Sequence, residues 1–138
     1  MGQHNTADIA IKFIEKLNRR DFDGLSAYMS VDHKAIDESG GVTDGKQSAV
    51  KVISGYIKDR PNFQIHVNDV YVKGDEVMVV GRTTGSCTET SYDVEIKEKL
   101  VYRFKVEDDL ISEFQYALKF DDNARRDLGF DSATKITD

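Results

Sequence analysis

His33, Ala35 and Asp37 alternate along the segment from Val31 to Asp37. In an extended chain alternate residues point to one side, so this histidine and this acid are expected to face the same way. A carboxylate that faces an apolar cavity loses solvation of its charged form. Its pKa rises, and it becomes a usable base near neutral pH. Asp37 is therefore the first candidate base. His33, with an ordinary pKa of about 6.5, is the group that would orient it or relay its proton. The competing reading is structural: Asp37 caps a loop beside Glu38, Ser39 and Gly40, and His33 packs against a helix or lies on the surface.

Glu98 is the second candidate. It is the sole charged side chain on a strand face otherwise made of Val94, Ile96, Leu100, Tyr102 and Phe104. Burying an unpaired charge costs several kcal/mol, so Glu98 must be paired, protonated or at a rim. Arg82, on the preceding strand, is its candidate partner and a candidate ligand contact. A structural ion pair and an acid–base role both remain open. His4, His33, His66 and Cys87 are scattered and give no metal-ligand spacing. Cys87 has no histidine near it in sequence, so it reads as an inert thiol. Neither metal nor cofactor is expected.

Three helices are expected to position these residues. Asn5 or Thr6 can cap the first, with Ala10, Phe13, Ile14 and Leu17 on its apolar stripe. Asp21 can cap a short second helix carrying Phe22, Leu25, Tyr28 and Met29. Asp44 can cap a third, with Ala49, Val52, Ile53, Tyr56 and Ile57 on its buried side and its end at Asn62, after Pro61. From Phe63 the period changes to two. Phe63, Ile65 and Val67 alternate with polar residues, so His66 faces solvent. Val70 to Val72 and Val77 to Val80 flank Lys73-Gly74-Asp75-Glu76, a hairpin in which Gly74 can take positive φ. The second of these strands is expected to run on through Thr84. A long strand through Phe104, a turn at Glu107-Asp108-Asp109 and a last strand with Phe114, Tyr116 and Leu118 on one face complete the order. Helices first and a strand meander after predict an α+β fold with an antiparallel sheet, because parallel strands need crossover helices between them.

The chain has 138 residues, a net charge of −6, 39% apolar residues and 32% charged ones. That length suits one domain, 1–138, with a core over about 6–120 and a polar tail over 121–138. The acidic balance argues against nucleic acid, which needs concentrated Lys and Arg. No apolar run reaches the roughly 20 residues of a membrane span. The first eight residues lack the basic and apolar regions of a secretory signal. Met1-Gly2-Gln3-His4-Asn5-Thr6 fits the myristoylation pattern, which is short enough to arise by chance. One cysteine and no leader lead to the expectation of a cytoplasmic protein.

Four segments, in this order, resemble the nuclear transport factor 2-like superfamily, near its SnoaL-like polyketide cyclase and ketosteroid isomerase-like branches. They are Leu17-Asn18-Arg19-Arg20-Asp21-Phe22-Asp23-Gly24-Leu25, Tyr28-Met29-Ser30-Val31-Asp32-His33, Thr43-Asp44-Gly45-Lys46, and Tyr102-Arg103-Phe104 with Ile111-Ser112-Glu113-Phe114 beyond the acidic turn. The resemblance implies a cone-shaped, cystatin-like roll: a curved antiparallel sheet packed on three N-terminal helices, with a pocket between the layers. It implies that Phe13, Tyr56, Val80, Leu100, Phe114 and Tyr116 line that pocket, and that the outer sheet face forms a homodimer in which Lys97, Lys99 and Arg103 meet Glu113 or other acids.

In the isomerase-like members a base on the first strand moves a proton beside a carbonyl, while a tyrosine and a protonated aspartic acid hold the oxyanion. Asp37 falls at the base. Phe13 and Leu100 fall at the two donors, so both donors are missing, and each is worth about 10² to 10³ in rate. Steroid isomerisation by that route is not expected. Two readings follow: a cofactor-free isomerase, cyclase or dehydratase acting on a small apolar molecule with Asp37 as base and Glu98 or Tyr116 assisting, or a non-catalytic ligand-binding or protein-interaction module.

Overall fold

The computed structural model of the chain describes residues 3–85, 99–119 and 134–136. Cys87 and Glu98, the second candidate acid, lie outside the described residues. So do Val94 and Ile96, on the face assigned to Glu98.

Helix α1 (Gln3–Asn18) buries Ala7, Ala10, Phe13, Ile14 and Leu17, the stripe that its 3.6-residue period defines. It begins at Gln3, ahead of the expected cap. Its end is tied to the sheet. The Asn18 side chain donates to the Ile65 carbonyl at 2.9 Å and accepts from the Ile65 amide at 2.8 Å, standing in for a neighbouring strand. Asp21 caps α2 (Phe22–Ala27) as expected, accepting from the Gly24 amide at 2.9 Å.

Strands β1 (Met29–Ile36) and β2 (Val42–Asp44) form a hairpin. Asp44 does not cap α3 (Lys46–Lys58). Its carboxylate takes the Lys34 ammonium at 2.5 Å across the hairpin, and Gly45, at φ 96°, occupies the cap position. Helix α3 stops at Lys58, short of Asn62, because residues ahead of Pro61 resist the helical region.

Strands β3 (Gln64–Lys73), β4 (Glu76–Thr84), β5 (Leu100–Glu107) and β6 (Leu110–Lys119) form an antiparallel meander, and β7 (Thr134–Ile136) adds to the far side of β3. Gly74 has φ 60° in the β3–β4 turn. Asp108 and Asp109, at φ 52° and 62°, make the β5–β6 turn. The sheet order is β2-β1-β6-β5-β4-β3-β7. One pair departs from the all-antiparallel expectation: β1 lies parallel to β6. No hairpin joins these two strands, so their directions are free to agree, and the intervening chain includes the long return through α3.

The curved sheet buries two sets of side chains. Val77, Val79, Tyr102, Phe104 and Phe114 face α1 and α3 and complete the main core with Phe13, Ile53 and Ile57. Tyr71, Met78, Val80 and Val101 form a separate cluster, joined by Leu118. Alternation along β4 puts the two sets on opposite sheet faces. Irregular pairing explains two departures from simple alternation. A shift in the β3–β4 register between Val67 and Asp69 leaves Val67 38% exposed. A second, between Val101 and Arg103 on β5 against Leu118 and Gln115 on β6, sets Leu118 beside Val101, on the face away from Phe114 and Tyr116. Met78, Val80 and Val101 are already buried within one chain, and Arg103 pairs with Glu76 of its own chain. Among the described residues no helix is long and apolar enough to cross a membrane.

Candidate functional site

A hollow of about 350 Å³ opens between α3 and the inner face of the sheet. Helix α3 contributes Val52, Ile53, Tyr56 and Ile57. The strands contribute Ile65, Thr83, Leu100, Tyr102, Phe114 and Tyr116, Phe63 comes from just before β3, and the loop after β1 brings Asp37 and Glu38. Its walls are mainly apolar and aromatic, with a few converging polar groups, the usual profile of a small-molecule site. Tyr102, Phe114 and Tyr116 form a row of neighbouring rings on β5 and β6, with centroids 6.3 Å and 5.3 Å apart along it. Tyr56 meets Phe63 edge to face at 5.5 Å, and the Arg60 guanidinium stacks on the Tyr56 ring at 3.8 Å. Arg20 donates to the carbonyls of Asn18, Phe63, Arg60 and Pro61 and so ties the end of α1 to the segment that leads into β3.

Of the expected site residues, Asp37, Tyr56, Leu100, Phe114 and Tyr116 meet at this hollow. The others do not. Phe13 lies deeper, fully buried against Phe104 and Phe114 at 5.7 Å and 5.0 Å, and helps build the wall without reaching the space. Val80 belongs to the outer cluster. Arg82 shares the parity of Val80 along β4, whereas its neighbour Thr83 turns inward and lines the hollow.

His33 and Asp37 are not brought together. Four residues of extended chain separate them by about 13 Å. His33 is sealed in the core: its Nδ1–H donates to the Ile111 carbonyl at 2.7 Å, and Nε2 is buried with no hydrogen-bond partner among the described residues. Burial pushes the His33 pKa down, against the Ile111 bond and the charges of Asp32 and Glu113, which raise it. A sealed neutral imidazole has no route to a ligand in the hollow.

Asp37 corrects a second expectation, that its pKa is raised. Three hydrogen bonds converge on its Oδ1, from the Ser39 hydroxyl at 2.7 Å, the Gly41 amide at 2.8 Å and the Ser39 amide at 2.9 Å. Hydrogen bonds to a carboxylate stabilise its charged form, so the Ser39 hydroxyl first, then the Gly41 amide, hold the pKa below the ordinary range. Asp37 is a loop cap that also lines the hollow, ionised at neutral pH and a weak base. The Tyr116 hydroxyl moves the other way. Burial comes first and the Asp37 charge next, followed by Tyr56 and Glu38, and together they suppress its ionisation.

Tyr102 and Thr83 are lining residues that the sequence reading passed over. Tyr102 had a signal, since it shares a face with Leu100 by simple alternation. Thr83 had little, because Val77 to Val80 is an unbroken apolar run that does not say which parity faces inward. Among the described residues no group of three or more His, Cys, Asp or Glu side chains is placed to hold a metal.

Three solved structures share this architecture. A protein provisionally described as a polyketide cyclase, from Sinorhizobium meliloti, is 19% identical, with a TM-score of 0.69 over 84% of this chain and 99% of that one. A SnoaL-like protein provisionally described as a polyketide cyclase, from a Jannaschia species, is 18% identical, with a TM-score of 0.70 over 93% of this chain and 92% of that one. A protein provisionally described as a ketosteroid isomerase, from Kribbella flavida, is 18% identical, with a TM-score of 0.64 over 86% and 82%. Identities this low speak to the fold and leave activity open. No curated protein matches the sequence closely enough to add to this. The family model of the SnoaL-like domain matches residues 10–114, most of the chain and nearly every element around the hollow; the chain belongs to the SnoaL-like domain family.

Proposed function

We propose that the chain binds a small, mainly apolar organic molecule in the hollow between α3 and the sheet. One observation carries this reading: a space of about 350 Å³ stays open among Ile53, Tyr56, Leu100, Phe114 and Tyr116, where a purely structural interior would close-pack. Burial of a flat, apolar body against these walls supplies the driving force, at about 25 cal/mol for each Å² removed from water. The structural relatives named as cyclases and as an isomerase are consistent with a ligand of this kind.

A second reading, proton transfer by a cofactor-free isomerase, cyclase or dehydratase, draws on one feature. The Asp37 carboxylate and the Tyr116 hydroxyl border the same space, a base and a hydrogen-bond donor. The depressed pKa of Asp37 makes it a poor base, so binding is the reading favoured here.

The test is a fragment screen read by methyl NMR. Aromatic fragments are expected to shift the methyls of Ile53, Ile57, Ile65 and Leu100 saturably, and Val52→Trp, at a half-exposed position on the rim, is expected to abolish those shifts. A screen in which no fragment moves these methyls overturns the proposal.

A further inference from the structure

The hollow has a chemical bias that its apolar character alone does not explain. Two carboxylates, Asp37 and Glu38, line it, and no lysine, arginine or histidine is among its described lining residues. The Arg60 guanidinium stacks on the Tyr56 ring and is not part of the lining. The same lining carries the rings of Tyr56, Tyr102, Phe114 and Tyr116, whose π faces carry negative charge density, and Asp37 follows β1 beside Tyr116 of β6. The bonds from the Ser39 hydroxyl, the Ser39 amide and the Gly41 amide fall on Oδ1 of Asp37. The acids also reach into the space electrostatically: both Asp37 and Glu38 oppose ionisation of the Tyr116 hydroxyl.

Resting on the proposed binding role, we infer that the preferred ligand is an organic cation, a protonated amine or quaternary ammonium carried on an apolar aromatic body. The aromatic rings would take the body and one face of the cationic head. Oδ2 of Asp37 and the Glu38 carboxylate would take its charge or its N–H donors. Carboxylates and aromatic faces together are a pairing that attracts an ammonium group and repels a carboxylate. An anionic ligand, including an enolate or a phenolate, is disfavoured by the same field.

The experiment compares three probes of nearly one shape: 1-naphthylmethylamine, protonated at pH 7, 1-naphthylmethanol, and 1-naphthoate. Titration calorimetry of the whole chain, with methyl NMR to locate binding, is expected to rank them in that order. The cation should bind about tenfold tighter than the alcohol at low salt, and the advantage should shrink as salt is added. Glu38→Gln is at an exposed position, and Asp37→Asn keeps an oxygen acceptor for Ser39 and Gly41. Each is expected to reduce the ratio of amine to alcohol affinity several-fold. If the alcohol binds in the hollow and the amine binds no tighter, the cation inference is overturned and the binding role stands. If none of the three shifts the pocket methyls and the fragment screen is also blank, the binding role falls with it.

Discussion

Mild acid is expected to weaken this fold through one side chain, His33. Its ring is 0% exposed, bonded through Nδ1–H to the Ile111 carbonyl and buried at Nε2 without a partner among the described residues. Burial lowers its pKa from the ordinary 6.5, outweighing the Ile111 bond and the nearby Asp32 and Glu113 charges. The unfolded chain therefore takes up a proton near pH 6.5 that the folded chain refuses. Above that pH both states hold a neutral ring and stability is flat. Below it the unfolded state binds more protons, and stability falls until the folded-state pKa is passed. The loss between pH 7.5 and 5.5 grows with the depression of the folded-state pKa, and one proton sets a ceiling of about 1.4 kcal/mol per pH unit on its slope. The depressed carboxyls of Asp21 and Asp37 act below their ordinary 3.8, outside this window. The assay is urea unfolding at both pH values for the parent chain and for His33→Asn, whose amide can still donate toward Ile111 but cannot titrate. The variant is expected to be less stable at pH 7.5 by about 1–3 kcal/mol, from lost packing, and to lose the pH-dependent part. An equal loss between pH 7.5 and 5.5 in both proteins would refute the assignment to His33.

Four further outcomes are expected. Arg20→Ala removes donors to four carbonyls that tie the α1–α2 turn to the α3–β3 connection, and should cost about 2–3 kcal/mol in chemical denaturation. Arg20→Lys should recover only part, because one ammonium cannot reproduce the fork. Gly81→Ala puts a Cβ 2.5 Å from the His66 carbonyl oxygen and should lower the melting temperature, whereas Gly55→Ala meets nothing within 4 Å on α3 and should raise stability by about 0.5–1 kcal/mol. Asp37→Asn should flatten the acid limb of the stability curve below pH 3.8, because a depressed carboxyl stabilises above its unfolded pKa and loses that contribution as pH falls through its folded one. A homodimer through the outer sheet face is checked by sedimentation at tens of micromolar. A monomer there removes it, and the burial of Met78, Val80 and Val101 within one chain already leaves that face less apolar surface to offer.

Local rules carried the sequence a long way. The stripe Ala10, Phe13, Ile14 and Leu17, the Asp21 cap, Gly74 in its turn and the Asp108-Asp109 turn are each set by the backbone preferences of a few adjacent residues, and each was legible before any fold was known. Alternation likewise put Leu100 with Tyr102, and Phe114 with Tyr116, on shared strand faces, and the family resemblance turned those faces toward the pocket. What only the tertiary structure decided was whatever depended on segments far apart in sequence. The parallel pairing of β1 with β6 joins strands that no turn connects. The inward parity of β4 could not be read from Val77 to Val80, because both sheet faces are covered and four apolar residues in a row carry no period. The displaced registers that expose Val67 and set Leu118 beside Val101 arise from pairing between strands. The charge state of Asp37 turned on whether its oxygen met a cavity or the amides of Ser39 and Gly41. A carboxylate's pKa is a property of its surroundings, and those surroundings exist only once the chain has folded.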